Sequence, residues 1–360
     1  DDRETTEVDR DEEGNTNHDA KSFENSKSAK YMSHLDGLRM IALLGVLLFH
    51  FDLFGAKGGF IGVDVFFVLS GFLVTGIILR ELGAADDYDG QSSFSFVQFY
   101  TKRFWRLYPS SLFTSACTLL ASWFMFPDAL TMAIAKSVLA SMTFVSNILF
   151  YSESGYWDAD SSTKPLLHTW SLSVEEQFYL FWPCMLLLLS KALIWFPTKN
   201  SKRDFIVGFF ASLALCSFFG AWHMYVKDSS LAFFLLPARV YQFSLGGMCS
   251  PLYIYTAEWK GLAWEIVATL AMIIILGSFF VLKEATGQVF FGFHSLPVLL
   301  GTVTVIMLPS TQINSKILSH PWPRHVGKIS YTLYLVHWPL WVFQVFQRDI
   351  MGRIRLDNVA

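Results

Sequence analysis

From Leu38 onward, apolar runs recur at close to the ~20 residues a helix needs to cross a bilayer, separated by short polar breaks. The pattern predicts spans near 37–54, 60–79, 107–126, 130–151, 170–190, 204–226, 231–251, 261–282, 293–310 and 326–346. Backbone inside hydrocarbon must satisfy its own hydrogen bonds, so these runs read as helices. The predicted fold class is all-α: a polytopic integral membrane bundle of about ten transmembrane or re-entrant helices. No repeat or Ser/Gly-rich linker divides the set, so residues 31–347 read as one membrane domain and 348–360 as a short polar tail.

The first thirty residues break the pattern. They hold ten acidic and five basic residues with a single aromatic, Phe23, too little apolar surface to order a fold. Residues 1–30 therefore read as a disordered acidic cytoplasmic tail. So many polar residues ahead of the first apolar run exclude a signal peptide. The chain begins with Asp1, which reads as a missing or processed N-terminal piece.

Composition agrees with a membrane reading. Hydrophobic residues make up 53% of the 360 and charged residues 16%, too apolar for a soluble interior to hide. An average soluble domain is about one-quarter charged. The net charge of -3 offers no basic field to nucleic acid and excludes it as a partner. Without the tail, 22 of the 27 basic and 20 of the 30 acidic residues remain, so the membrane body is slightly positive. Cys117, Cys184, Cys216 and Cys249 all sit in apolar stretches with no CxxC pair, and read as small buried hydrophobes rather than metal ligands or disulfides.

Lysine and arginine near span ends set the orientation. Lys21, Lys27 and Lys30 precede the first span, and Arg80, Lys102, Arg103 and Arg106 flank the loop after the second, which places the N-terminus in the cytoplasm. Lys191, Lys199, Lys202 and Arg203 belong on the same side, yet five segments precede them. One must then be re-entrant, and 130–151, with Lys136, is the choice. The loop 152–167, with Tyr156, Trp157 and Asp158, then faces the far side.

Ionisable residues at membrane depth are costly and usually turn inward for function. The first span reads His34-Leu-Asp36-Gly-Leu-Arg39, then ten residues before His50. Eleven residues put Arg39 and His50 on one face, roughly 16 Å apart. Either they form a site, or Arg39 snorkels to the headgroups and His50 caps the helix end. The second span carries Gly58, Gly62, Asp64, Ser70 and Gly71. Gly58 and Gly62 form a small-xxx-small pair that admits a neighbouring helix. Asp64 either caps its helix or pairs with Arg39 or His50. Lys102, Arg103 and Arg106 cluster at a helix edge, suited to anionic lipid headgroups or to the phosphates of a nucleotide-like ligand. His168-Thr-Trp170-Ser171-Leu-Ser173-Val-Glu175-Glu176 opens an apolar helix with more polar chemistry than a capped start requires. The last span brings Ser330, Tyr331, Tyr334 and His337 to helical spacing, where His337 reads equally as an interfacial residue. His223 and Asp228 fit an H-x4-D acyltransferase pattern, but the Gly-rich phosphate segment that accompanies it is absent, and the match is discounted.

In order along the chain, His34–His50, Gly59–Leu73, Tyr100–Pro109, Leu167–Pro183, Arg239–Gly247 and Ile329–Pro339 resemble the acyltransferase-3 family, membrane O-acyltransferases that modify glycans. The resemblance implies an acyl-CoA, in particular acetyl-CoA, donor as co-substrate entering from the cytoplasmic side, with no permanently bound cofactor and no metal. It implies a carbohydrate or lipid-linked hydroxyl acceptor on the other side. It casts His50 as general base or acyl relay and Arg39 as holder of donor charge. Glu175 becomes a catalytic partner that orients His50 or positions the acceptor, and Lys102, Arg103 and Arg106 become the binders of CoA phosphates. Asp36, Asp64, Ser70, His168, Trp170, Ser171, Tyr331 and His337 remain as substrate-binding or structural support. Gln242 stands where relatives often have Glu. Many relatives add an exported SGNH-hydrolase-like domain, expected here either as a continuation of the chain or as a separate partner. The competing class is a membrane transporter or acyl translocator acting with a separate transferase; internal repeats that would favour it are not evident in the sequence.

Overall fold

The computed structural model describes residues 31–83, 94–154, 163–282 and 291–357. The acidic tail read at 1–30, and Tyr156, Trp157 and Asp158, lie outside them. From His34 onward the chain forms one compact unit of helices, with no strand among the described residues. In chain order the helices are α1 (Ser33–His50), α2 (Gly62–Glu81), α3 (Phe96–Met125), α4 (Asp128–Met142), α5 (Ser146–Glu153), α6 (Thr169–Ala192), α7 (Lys199–Lys227), α8 (Ser229–Phe234), α9 (Val240–Thr256), α10 (Leu262–Val281), α11 (Phe291–Met307), α12 (Pro321–Lys328) and α13 (Ser330–Asp357). A π-helical turn spans Ile313–Leu318. α13 continues through most of the segment read as a polar tail.

Among the described residues, five helical stretches are long and apolar enough to cross a membrane: Ser33–His50, Gly59–Glu81, Thr169–Trp195, Lys199–Lys227 and Leu262–Val281. α3 is long enough, at 30 residues, but falls below that hydropathy because it carries a stripe of hydroxyl residues, and that stripe is turned inward. Ser111, Thr114, Ser115, Thr118 and Ser122 are buried, while Phe113, Trp123 and Phe124 are more than 70% exposed. The hydroxyls bond back along the helix, Thr118 Oγ1 to the Thr114 carbonyl at 2.8 Å and Ser122 Oγ to the Thr118 carbonyl at 2.7 Å. Such an inverted helix makes sense with lipid as its solvent, where apolar side chains gain nothing by turning inward and small residues let helices close up. The same logic corrects the cysteine reading. Cys249 is buried, but Cys117, Cys184 and Cys216 are exposed on the outer surface.

Close helix contacts hold the centre. α2 crosses α9 with Gly71 against the Phe243 carbonyl and Gly246 against the Val68 carbonyl; a methyl group at either glycine would collide with that oxygen. The Gly58/Gly62 pair serves two neighbours, Gly62 facing Ala42 of α1 and Gly58 facing Ser278 of α10.

Three predicted spans are interrupted. The run at 130–151 splits into α4 and α5 at Phe144, whose φ of 58° is left-handed. Its carbonyl accepts from Gln177 Nε2 at 2.9 Å, and Gln177 also donates to Asn147 Oδ1 at 2.8 Å, so an amide pair fixes the break. At 15 residues, α4 rises about 22 Å, short of a ~30 Å hydrocarbon core. The run at 231–251 breaks around Pro237, between α8 and α9. The run at 326–346 begins anew after Ile329.

Candidate active site

One face of α1, the middle of α2, the start of α3, the first turns of α6 and the start of α13 enclose a chamber of about 270 Å³. Helical spacing delivers its polar residues: Arg39 from α1, Ser70 from α2, Arg103 and Arg106 (i, i+3) from α3, Ser171, Glu175 and Tyr179 (i, i+4, i+8) from α6, and Tyr331 and Tyr334 from α13. Phe66, Leu69, Leu73, Val74 and Ile77 of α2 supply an apolar wall.

Three guanidinium groups face one carboxylate here. Arg39 pairs with Asp36 one turn back at 2.9 Å. Arg103 lies over the rings of Phe99 and Tyr179, 4.0 and 4.4 Å from their centroids, and neither it nor Arg106 forms a salt bridge among the described residues. Stacking fixes the plane of a guanidinium while leaving its N–H fork free, the disposition that suits bidentate binding of a phosphate. Glu175, by contrast, is already engaged: Ser70 Oγ and Tyr179 Oη both donate to its Oε1. Tyr331 Oη donates to the Leu107 carbonyl at 3.1 Å and ties α13 to α3 at the chamber edge.

His50 does not line this chamber. It ends α1, and its Nδ1 lies 2.9 Å from His337 Nε2, with the two rings stacked at 5.1 Å and the Trp338 ring 4.5 Å away. Tyr334 connects the two regions. It stands edge-on to Phe66 in the chamber wall, its Oη bonds Ser171 Oγ at 2.7 Å, and its ring lies 5.2 Å from that of His337. His168 completes the cluster, 5.4 Å from the His337 ring. Its Nε2 donates to the Leu335 carbonyl at 3.1 Å. That carbonyl has lost its helical donor, because residue 339, four further on, is a proline without an N–H. His168 thus repairs a proline kink in α13.

Other sequence assignments land elsewhere. Asp64 pairs with neither Arg39 nor His50. It is buried and accepts from Gln242 Nε2 at 2.5 Å and from Arg239 at 3.4 Å, both at the start of α9. Arg239, only 3% exposed, also donates to the Phe233 carbonyl at 3.0 Å. This is a buried ion pair bridging α2 and α9, and Gln242 serves it as an amide donor that a Glu could not replace without adding a second charge. The hydrogen-bond partners of Glu175 are Ser70 and Tyr179, and that of His50 is His337. Lys102 is exposed and does not reach the chamber, so the α3 cluster divides into a half-buried Arg103 in the chamber wall, an exposed Arg106 at its rim and an outward lysine. Trp170 is a core residue, packed on Phe67, Phe233 and Phe234. His223 is exposed on α7 and does not line the chamber. Tyr179, Tyr334 and Trp338 were not singled out as site residues. Tyr179 follows Glu175 by one turn and Trp338 follows Tyr334 by one turn, so the spacing held that signal.

A family model described as an acyltransferase domain, of the acyltransferase-3 type, matches residues 32–348. The chain belongs to the acyltransferase-3 family. It is similar to the O-acetyltransferase OatA of Staphylococcus aureus strain NCTC 8325 / PS 47, with 29% identity over 332 residues, 90% of this chain and 53% of that protein. OatA of strains COL and MRSA252 matches with the same figures. The chain therefore spans about half the length of the curated relatives it matches. No solved structure matches it. The family, the long apolar helices and the inverted α3 together make this an integral membrane acyltransferase-family protein.

Proposed function

We propose that the chain catalyses O-acetyl transfer at the membrane, from acetyl-CoA to a hydroxyl of a carbohydrate or lipid-linked acceptor. The observation that carries this reading is the chamber: two arginines with no salt bridge among the described residues and a third beside Asp36, against an apolar wall, with a histidine cluster beyond Tyr334. Arg103 and Arg106 hold donor phosphates, assisted by Arg39, and the apolar wall of α2 accepts the uncharged arm of the donor. The thioester passes Phe66 and Tyr334 to reach His50. There His50 takes the acceptor's hydroxyl proton as its oxygen attacks the thioester carbonyl. A C–O ester bond forms, the C–S bond breaks, and the proton returns to the departing thiolate, so the histidine ends neutral. Neutral imidazole is suited to this near pH 7. Glu175, held by Ser70 and Tyr179, shapes the chamber wall rather than the proton path. Lys102 faces anionic headgroups, and the donor chamber opens toward the cytoplasm with the N-terminus on the same side. An SGNH-hydrolase-like domain or partner completes delivery to the acceptor.

The test is transfer of labelled acetyl from acetyl-CoA into glycan in membrane vesicles. His50→Ala is expected to remove it, and undiminished transfer by that variant would sink the assignment. Arg103→Ala and Arg106→Ala are expected to weaken donor binding; unchanged affinity in both returns the pair to the lipid headgroups.

A further inference from the structure

A histidine that acts as a base must keep one nitrogen bare and turn that nitrogen toward the substrate. Which nitrogen is bare depends on the hydrogen bond made by the other. At His50 that bond is made to His337, and His337 is itself constrained. His337 Nδ1 lies 2.5 Å from the Tyr334 carbonyl oxygen. A carbonyl only accepts, so His337 Nδ1 carries the hydrogen and its Nε2 is bare. Across the 2.9 Å contact, His50 Nδ1 must then be the donor. The remaining nitrogen, His50 Nε2, has no hydrogen-bond partner among the described residues and is not among the fully enclosed polar atoms, on a residue that is itself only partly buried.

We propose that His337 is a positioning residue that sets the tautomer of His50: the chain Tyr334 C=O, His337, His50 fixes one proton on each ring and leaves His50 Nε2 as the bare nitrogen. The proposal rests on the reading of His50 as the base. Packing holds the arrangement. His337 is 4% exposed, the two imidazoles are stacked within 19° of parallel, and Trp338 closes the other side of His50. His168 borders His337 edge-on while its own Nε2–H is spent on the Leu335 carbonyl, so it does not compete for either nitrogen of the pair. No carboxylate touches His50 or His337 among the described residues, so nothing there holds a second proton on the pair. In proteins the same device is common at metal centres, where an outer partner fixes the tautomer of a ligating histidine.

Asparagine and glutamine separate the two bonds of His337. The amide of Gln reaches the place of Nε2 and can still accept from His50; the amide of Asn reaches the place of Nδ1 and cannot. The full chain, labelled with ¹⁵N-histidine in lipid nanodiscs, reports the tautomer directly, with His50→Gln used to assign the signal. The expected result is a proton on Nδ1 and a bare Nε2 at His50 in wild type and in His337→Gln, and a shift of that proton to Nε2 in His337→Asn. In vesicles, His337→Asn is expected to lower the kcat of acetyl transfer by about 10- to 100-fold, the range for loss of an orienting partner, with KM for acetyl-CoA unchanged. His337→Gln should recover most of the rate. A wild-type His50 protonated on Nε2, or a tautomer indifferent to His337→Asn, overturns the proposal. Full transfer by His50→Ala would instead defeat the assignment of the base while leaving the tautomer measurement to stand alone. A tautomer independent of His337 in a protein that does need His50 defeats the positioning role by itself.

Discussion

Arg39 of the chamber and His50 of the cluster lie about 16 Å apart along α1, the two regions meet at Tyr334, and they are built by opposite rules. In the chamber, volume is left open and cationic donors are left unspent: Arg103 is held by two rings, and Arg106 by no salt bridge among the described residues. In the cluster, rings lie in contact and a chain of hydrogen bonds runs from the Tyr334 carbonyl through His337 to one nitrogen of His50. A group that must grip a variable, solvated anion gains from free donors, whereas a group that must move a proton gains from a fixed tautomer. On the proposed function, the contrast would separate binding from chemistry along one helix.

The sharpest way to break the contrast is at His50. His50→Ala is expected to lower acetyl transfer by about 10²- to 10⁴-fold, the usual worth of a positioned base. Donor affinity should be untouched, as measured by CoA binding to the same vesicles. A loss of CoA affinity would merge the two regions into one.

Asp64 and Arg239 provide a charged pair that belongs to neither region. Asp64→Ala leaves Arg239 buried without its counter-ion and is expected to destabilise the fold by about 3–5 kcal/mol. Asp64→Leu combined with Arg239→Leu should recover much of that loss, read as the thermal midpoint in detergent. If Asp64→Ala kept its stability and lost donor binding, the ion pair would belong to the chamber after all.

Smaller effects define the chamber. Arg103→Ala or Arg106→Ala is expected to cost about 1.5–3 kcal/mol of CoA affinity, roughly 10- to 100-fold in Kd, with turnover at saturating donor preserved. Lys102→Ala, one residue away but facing out, is expected to change CoA affinity by no more than about 0.5 kcal/mol. Equal losses at Lys102 and Arg103 would mean that the whole cluster acts as a diffuse charge rather than through two directed forks.

How much of this was legible in the sequence varies with the range of the cause. The all-α class, most helix positions and the polar openings of α2, α6 and α13 follow from hydropathy and 3.6-residue spacing. Arg39, Glu175 and Arg103 converge because each lies on the inward stripe of its own helix, and Arg106 reaches the rim of the chamber from an exposed position one turn after Arg103. The partner of Asp64 was not legible: it lies 175 residues away, and a buried carboxylate takes whichever cation the crossing of α2 and α9 presents. The break at Phe144 was hidden for a related reason, since the amide pair Gln177 and Asn147 that fixes its left-handed backbone spans α5 and α6. The exposed cysteines were misread by applying a soluble protein's rule to a surface that faces lipid. The role of His168 could have been read locally at one end only: Pro339 announces an orphaned carbonyl at Leu335, but not which side chain fills it.

The separation of binding from chemistry is tested most directly by measuring CoA affinity and acetyl transfer on the same vesicles for His50→Ala and for the Arg103→Ala/Arg106→Ala double variant. The account predicts a crossing: wild-type affinity with transfer lost in the first, and weakened affinity with transfer restored by saturating acetyl-CoA in the second. Wild-type transfer by His50→Ala, or an equal loss of CoA affinity in both variants, would contradict it.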